Sequence, residues 1–305
     1  MAHHKSIKQQ IWQETRTANK TTRDVYRANA SHYVEWARDN GITDVSRDSL
    51  QMYYNHLADR DLSEATRHNY MAPLCRTAGI SYDQIEHQKR TQELTRSRSD
   101  MANMQGYNEE RSGRFERLVG GQSHIGIRRA ELADLRGRNL REDESGYLCV
   151  EVEHGKGGKH HLQRLLPEDR EHVIELFRGV GRDERVFTDA EMNNKIDLHA
   201  KRSEHARRTY DYYEQRLERE PGYAKQLREE IIERYFAEHP KQKRLPKELR
   251  YQVVAQSPYR CRGSVKQQAI EHGRPTEYDR LAVIATSVFS LSHWRSNVAI
   301  KNYLT

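Results

Sequence analysis

Apolar positions recur at helical spacing along most of this chain and alternate strictly in one short stretch. Over 21–40, Val25, Tyr26, Tyr33, Trp36 and Ala37 fall along one side of a helix, with Thr22 placed to cap it and Gly41 to stop it. Ser46 precedes a second run, in which Leu50, Tyr53, Tyr54 and Leu57 stand at i, i+3, i+4 and i+7. A third segment opens at Ser63 and closes at Gly79. Together they predict a small bundle of three or four short helices over 1–88. Residues 86–105 are polar and charged, with Lys89, Arg90, Arg96 and Arg98 among few apolar side chains. A linker is expected over 89–105, and a second domain over 106–305.

That second domain reads as mostly helical. Phe115 and Leu118 begin a helical pattern, Gly120-Gly121 is expected to break it, and Glu131 to Leu135 resume it. Leu148, Val150 and Val152 alternate with Cys149 and Glu151; Gly155-Lys156-Gly157-Gly158-Lys159 interrupts, and an extended apolar run follows from Leu162 to Leu166. The period of two on either side of a glycine-rich turn predicts a β-hairpin. Arg185-Val186-Phe187 is a candidate third strand, and everything after it reads as helix. Residues 203–258 are rich in Glu, Arg and Lys, with Tyr210, Tyr213, Leu217, Leu227, Ile231 and Tyr235 at roughly helical intervals, which predicts long helices with solvated faces. The expected fold class is therefore mainly α (α+β): an N-terminal helical bundle and a mixed domain with a small antiparallel sheet.

Composition narrows the partner. The chain has 305 residues and a formal net charge of +7, which favours a polyanion such as DNA, because Lys and Arg displace condensed counterions from phosphates. On the expected bundle, Arg23, Arg27, Arg67, His68 and Arg76 are placed to meet a DNA backbone. Mean hydropathy is −1.05, and no apolar run approaches the roughly 20 residues that a membrane-spanning helix needs. Met1 to Gln10 lack the apolar core of a secretory signal, so a cytoplasmic, nucleoid-associated protein without a membrane partner is expected. Cys75, Cys149 and Cys261 are odd in number and far apart, which argues against a disulfide framework or zinc site.

Four groups of residues could carry chemistry. In Gly126-Ile127-Arg128-Arg129-Ala130-Glu131-Leu132, a guanidinium at the start of a helix can grip a phosphate while the carboxylate one turn on orients it. The hairpin turn offers Lys156 and Lys159, and a lysine at such a tip can reach a groove and act as a general acid; its spacing does not match a Walker A loop. In Asp197-Leu198-His199-Ala200-Lys201-Arg202, His199 and Arg202 share one helical face, so an imidazole and a second guanidinium can meet the same phosphate. Finally, Tyr303 follows His293 by ten residues, a spacing that suits a tyrosine nucleophile beside a histidine.

The order Arg-x-x-Glu, hairpin Lys, His-x-x-Arg, His, Tyr resembles the tyrosine recombinase (phage integrase) family of the two-domain, mobile-element type, over nearly the whole chain. The resemblance implies a core-binding domain at the N-terminus and a catalytic domain over 106–305. It makes Arg128 and Arg202 the phosphate-clamping arginines, Glu131 their support, Lys156 the general acid, His199 and His293 the two histidines, and Tyr303 the nucleophile. Three departures accompany it. The distance from Arg202 to Tyr303 makes 203–258 an insertion. A rival second box, Tyr259 and Arg262 with His272 following, competes with His199 and Arg202. The end at Thr305 is expected to leave no tail for subunits to exchange.

The implied activity is DNA integration or transposition through a 3′-phosphotyrosine intermediate, needing neither metal nor other cofactor, by a homotetramer on specific double-stranded DNA sites. A type IB topoisomerase-like relaxing enzyme and a catalytically silent DNA-binding protein remain the alternatives.

Overall fold

The computed structural model describes residues 6–60, 62–88, 113–194 and 196–305, except the side chain of Arg114. Two compact units divide the chain, Met1–Arg96 and Ser97–Thr305, and the stretch expected as a linker lies outside the described residues.

In the first unit, α1 (Ile7–Thr15), α2 (Lys20–Asp39), α3 (Arg47–Ala58) and α4 (Glu64–Ala78) pack around Ile11, Tyr33, Leu50, Tyr53, Leu57, Met71 and Leu74. Ser46 and Ser63 cap α3 and α4 as their spacing predicts, and Gly79 ends α4 at φ 68°. Asn19, rather than Thr22, caps α2: its side chain accepts from the Thr22 main-chain N–H. Within this unit Arg67 departs from its expected role as an exposed basic residue. It is only 5% exposed, paired with Glu64 at 3.7 Å, and its Nε donates to the Leu62 carbonyl. A guanidinium used up inside the bundle is not offered to a DNA backbone. Arg76 is exposed, His68 is exposed beside Tyr82, and Arg23 and Arg27 are half-buried, Arg27 lying over the Trp12 ring.

The second unit is mainly α with a small antiparallel sheet. It begins with α5 (Glu116–Ile125) and α6 (Arg129–Asp134), followed by β1 (Leu140–Glu142), β2 (Leu148–Gly155) and β3 (Lys159–Arg164) in the order β1-β2-β3. The hairpin lies where alternation predicts it, with Val152 opposite His161. Its third strand, however, is β1: Arg185 forms only an isolated antiparallel bridge with Arg136, in which the Val186 N–H donates to the Leu135 carbonyl and the Gly137 N–H to the Glu184 carbonyl. The inward parity of β3 also differs from the apolar reading. His161, Gln163 and Leu165 are buried while Leu162 is only partly so.

Beyond the sheet come α7 (Arg170–Phe177), α8 (Asp189–Met192), α9 (Leu198–Arg219), α10 (Tyr223–Glu238) and α11 (Lys247–Val254). A two-stranded ladder of β4 (Tyr259–Arg260) and β5 (Glu277–Tyr278) brackets α12 (Gly263–Glu271), which corrects the expectation of helix alone. The chain finishes with α13 (Arg280–Ala285), a π-helical turn at Thr286–Ser290, α14 (Ser296–Ala299) and a second π-helical turn at Ile300–Leu304.

The segment 203–258 is no appendage with merely solvated faces. Ala206, Tyr210, Tyr213, Leu227, Ile231, Tyr235, Leu249 and Val253 share one apolar core with α13, Phe289, Ala299, Ile300 and Tyr303. The sheet is tied to it through Arg164, which pairs with Asp143 at 2.7 Å and Glu230 of α10 at 2.5 Å while its Cζ lies 3.9 Å from the Phe289 ring centroid. A charge this buried is tolerated because both counter-ions and an aromatic face surround it.

Neither glycine of the Gly120-Gly121 pair breaks α5; the helix ends at Gly126, φ 72°. Gly121 is a packing glycine, since an added Cβ would meet Phe187 Cζ at 2.7 Å and Leu176 Cδ2 at 3.0 Å, whereas at Gly120 nothing lies within 4 Å. Urea denaturation of the two alanine variants should separate them. Gly121→Ala is expected to destabilise by about 1–3 kcal/mol through overpacking, and Gly120→Ala to stabilise by about 0.5–1 kcal/mol through helix propensity. Equal effects would contradict the packing role.

Candidate active site

The site is assembled from the ends of elements. Gly126 ends α5 in a left-handed turn, which places Arg128 as the N-cap of α6 and Glu131 one turn inside it. The Glu131 carboxylate accepts the Arg128 main-chain N–H at 2.8 Å and Arg128 Nη1 at 2.7 Å. It thus satisfies the first turn of α6 and fixes the guanidinium in one move. Burial pushes the Glu131 carboxyl up, but the Arg128 hydrogen bonds and the charges of Arg128 and Arg202 outweigh it and hold the group below the ordinary carboxylate range.

Asp197 caps α9 by accepting the N–H groups of His199 and Ala200, so His199 and Arg202 emerge from the first turn. Arg202 is 1% exposed. Its Nη1 donates to the Gly126 carbonyl at 2.8 Å and its Nη2 to the Leu291 carbonyl at 2.9 Å, and Glu131 Oε2 lies 3.9 Å from Nη1. Its Nε is buried with no hydrogen-bond partner among the described residues. Burial lowers the guanidinium pKa from its ordinary value, while Tyr303 and Glu131 act in the opposite sense.

Tyr303 lies in the second π-helical turn and is 8% exposed. Its ring centroid is 5.7 Å from Arg202 Cζ, 5.3 Å from the His199 ring and 6.3 Å from the His293 ring, and its main-chain carbonyl accepts Arg207 Nη1 at 3.1 Å. His293 follows Ser292, a non-glycine residue at φ 55°, and its main-chain N–H donates to the Ser287 carbonyl. A left-handed backbone at a non-glycine residue is strained, and such strain gathers at functional sites. Both His293 ring nitrogens are buried without a hydrogen-bond partner among the described residues. Burial, with the charges of Arg202, Arg128 and Arg295, lowers its pKa to about 4.

Arg128, Glu131, His199, Arg202, His293 and Tyr303 are therefore brought together. Lys156 and Lys159 are exposed at the β2–β3 turn, where Gly157 and Gly158 adopt φ of 81° and 74°. The rival box lies elsewhere in the chain's contacts: Tyr259 sits in the β4–β5 ladder against Arg280, and Arg262 is an exposed N-cap of α12. Two inward residues of β3 belong to none of the sequence motifs. Gln163, fully buried, donates to the Ile125 carbonyl and accepts Ser292 Oγ at 3.4 Å, so it spans the turns that lead to Arg128 and to His293. His161 neighbours it on the same face. Polar residues at inward strand positions were the available signal.

Behind Gly126 lies a second polar group. Asp169, fully buried, accepts from His124 at 2.6 Å and Arg208 at 2.6 Å, with His205 Nδ1 3.8 Å away. A Cβ at Gly126 would stand 2.2 Å from His205 Cδ2, so glycine is needed there for space as well as for φ. Burial lowers the His205 pKa to about 4, with Asp169 opposing.

No protein-family model matches this sequence, and no curated protein matches it. A crystal structure of the XerA recombinase is similar to the chain at 13% identity, covering 66% of this chain and 84% of that one, with a TM-score of 0.22. A likeness at that score carries no argument for fold or activity. Among the described residues no helix is long and apolar enough to cross a membrane.

His161, His205 and His293 each have a folded pKa of about 4 against the ordinary histidine value of 6.5. The unfolded chain therefore binds more protons below pH 6.5, so stability is complete above that pH and is lost as pH falls towards 4. Between pH 6.5 and 5 each histidine is expected to remove about 2 kcal/mol at most. In urea titrations His205→Gln should lose less stability over that interval than the unaltered chain. An unchanged slope would show that His205 is not held neutral.

Proposed function

We propose that the chain is a site-specific DNA recombinase acting through a tyrosine nucleophile. The observation that carries this reading is the approach of the Arg202 guanidinium and the His199 and His293 rings to the ring of Tyr303, with Arg202 Nε and both His293 ring nitrogens buried without a hydrogen-bond partner among the described residues and Arg128 joined to Arg202 through Glu131. Such a set suits a phosphate, whose oxygens take up donors that the protein leaves open.

In the proposed reaction, Arg128 and Arg202 hold the non-bridging oxygens of a DNA backbone phosphate. The Tyr303 oxygen attacks phosphorus, its proton passing to His199 or His293. The bond to the 5′ oxygen breaks and the Lys156 ammonium protonates that oxygen, releasing a 5′-hydroxyl and leaving a 3′-phosphotyrosine. Attack by a 5′-hydroxyl of a partner strand reverses the step, so the phosphodiester bond energy is conserved. Preorganised cations stabilise the developing charge, and loss of one such contact costs on the order of 10²–10³ in rate. His293 is neutral and has a lone pair for the tyrosine proton, and the negative charge of the phosphate offsets the guanidiniums that otherwise oppose its protonation. A homotetramer assembled on two duplexes is part of the same reading.

A nicked suicide DNA substrate tests it. Unaltered protein should form a covalent adduct and Tyr303→Phe none, while both bind DNA equally; an adduct that survives in Tyr303→Phe removes that residue from the mechanism. No adduct from either protein marks a silent binder, and relaxation without strand exchange marks a topoisomerase-like enzyme. Arg262→Ala should cleave normally and Arg128→Ala about 10²–10³ more slowly. Arg202→Ala leaves the Gly126 and Leu291 carbonyls without their donor and is expected to lose about 3–5 kcal/mol of stability, so Arg202→Lys is the informative variant there.

A further inference from the structure

His161 has no part in the reaction just described. It lies on β3 opposite Val152, is 6% exposed, and its Nε2 is buried without a hydrogen-bond partner among the described residues. Neutral imidazoles inside a protein ordinarily hydrogen-bond through both nitrogens, so an open one calls for a partner from outside the chain.

Three features set His161 beside the arginines of the candidate site. Gln163, two residues along the same inward face, is bonded to Ile125 and Ser292, which pins this face of β3 against the turns carrying Arg128 and His293. The charged groups felt by His161 are Glu131, Arg128 and Arg202 of the site together with Glu238 of α10, and Glu238 is already engaged by Trp294 and Arg234. Gly155 clears the space beside it: a Cβ there would approach His161 Cε1 to 3.0 Å.

We propose that His161 is a further phosphate contact, its Nε2–H donating to a non-bridging oxygen of the group gripped by Arg128 and Arg202. The inference rests on the reading of the site given above. Kept neutral by burial beside two guanidiniums, His161 adds a hydrogen bond without a third positive charge. It therefore acts as a directional donor, setting the rotation of the phosphate about the axis that the arginines define. Its role differs from that of Lys156, which serves the leaving oxygen.

Inorganic phosphate titrated into the full chain at pH 7, with histidine ¹⁵N resonances followed by NMR, tests this without needing the DNA target. The His161 Nε2 resonance should move with a midpoint matching the phosphate affinity. His161→Leu should bind phosphate about tenfold more weakly, and His161→Gln, whose amide N–H₂ occupies a similar place, within about threefold of the unaltered protein. A stationary His161 resonance, with phosphate still binding in a way that Arg128→Ala abolishes, overturns the inference and leaves the phosphate site intact. Phosphate affinity unaffected by Arg128→Ala overturns both. If His161→Leu does not fold, the resonance of the unaltered protein and the Gln variant decide.

Discussion

The buried guanidinium of Arg202 holds the candidate site of the second unit together. Its two terminal nitrogens bond the carbonyls of Gly126 and Leu291, one at the end of α5 and one after the π-helical turn that follows α13. These carbonyls belong to turns 165 residues apart in sequence, 291 minus 126, and each turn delivers a site residue two positions later, Arg128 and His293. A planar fork with fixed donor directions is suited to such bridging, and a lysine could reach only one of the two with comparable geometry. The same side chain is thus structural brace and electrostatic element, so the two roles cannot be separated by simple truncation.

Around that brace the protein arranges charge unevenly. Glu131 is the one carboxylate close to both arginines, among the described residues, and its own burial is offset by the hydrogen bonds it accepts. It lowers the mutual repulsion of Arg128 and Arg202 without occupying all their donors. The histidines are treated differently: burial and nearby guanidiniums hold His161 and His293 neutral. The result is two fixed cations flanked by rings held neutral, so the positive charge of the site is confined to the two guanidiniums.

Local patterns made much of this visible in the sequence. Capping residues fixed the starts of α3 and α4, alternation located the β2–β3 hairpin, and Arg128 with Glu131, like His199 with Arg202, fell on shared helical faces because a spacing of three residues is one turn. What stayed hidden depends on tertiary contact. Gly121 looks like a helix breaker until Phe187 is seen against it. Arg67 looks like a surface cation until Glu64 and the Leu62 carbonyl enclose it. The charge-rich run 203–258 reads as solvated because its buried tyrosines are few among many polar residues, yet those tyrosines meet the core that carries Tyr303. Inward parity on β3 could not be told from apolarity alone, since two of its inward residues, His161 and Gln163, are polar.

Helix α9 runs without interruption from Leu198 to Arg219, with His199 and Arg202 in its first turns and Tyr210 and Tyr213 further along, packed in the core shared with α10 and α11. At 1.5 Å per residue its 22 residues form a rod of about 33 Å. A rod of that length is a lever: tilting it by about 2° moves one end by about 1 Å relative to the other, so the packing of its far half sets the position of Arg202. Helix α9 thus ties the core around Tyr210 and Tyr213 directly to the turn that presents Arg202.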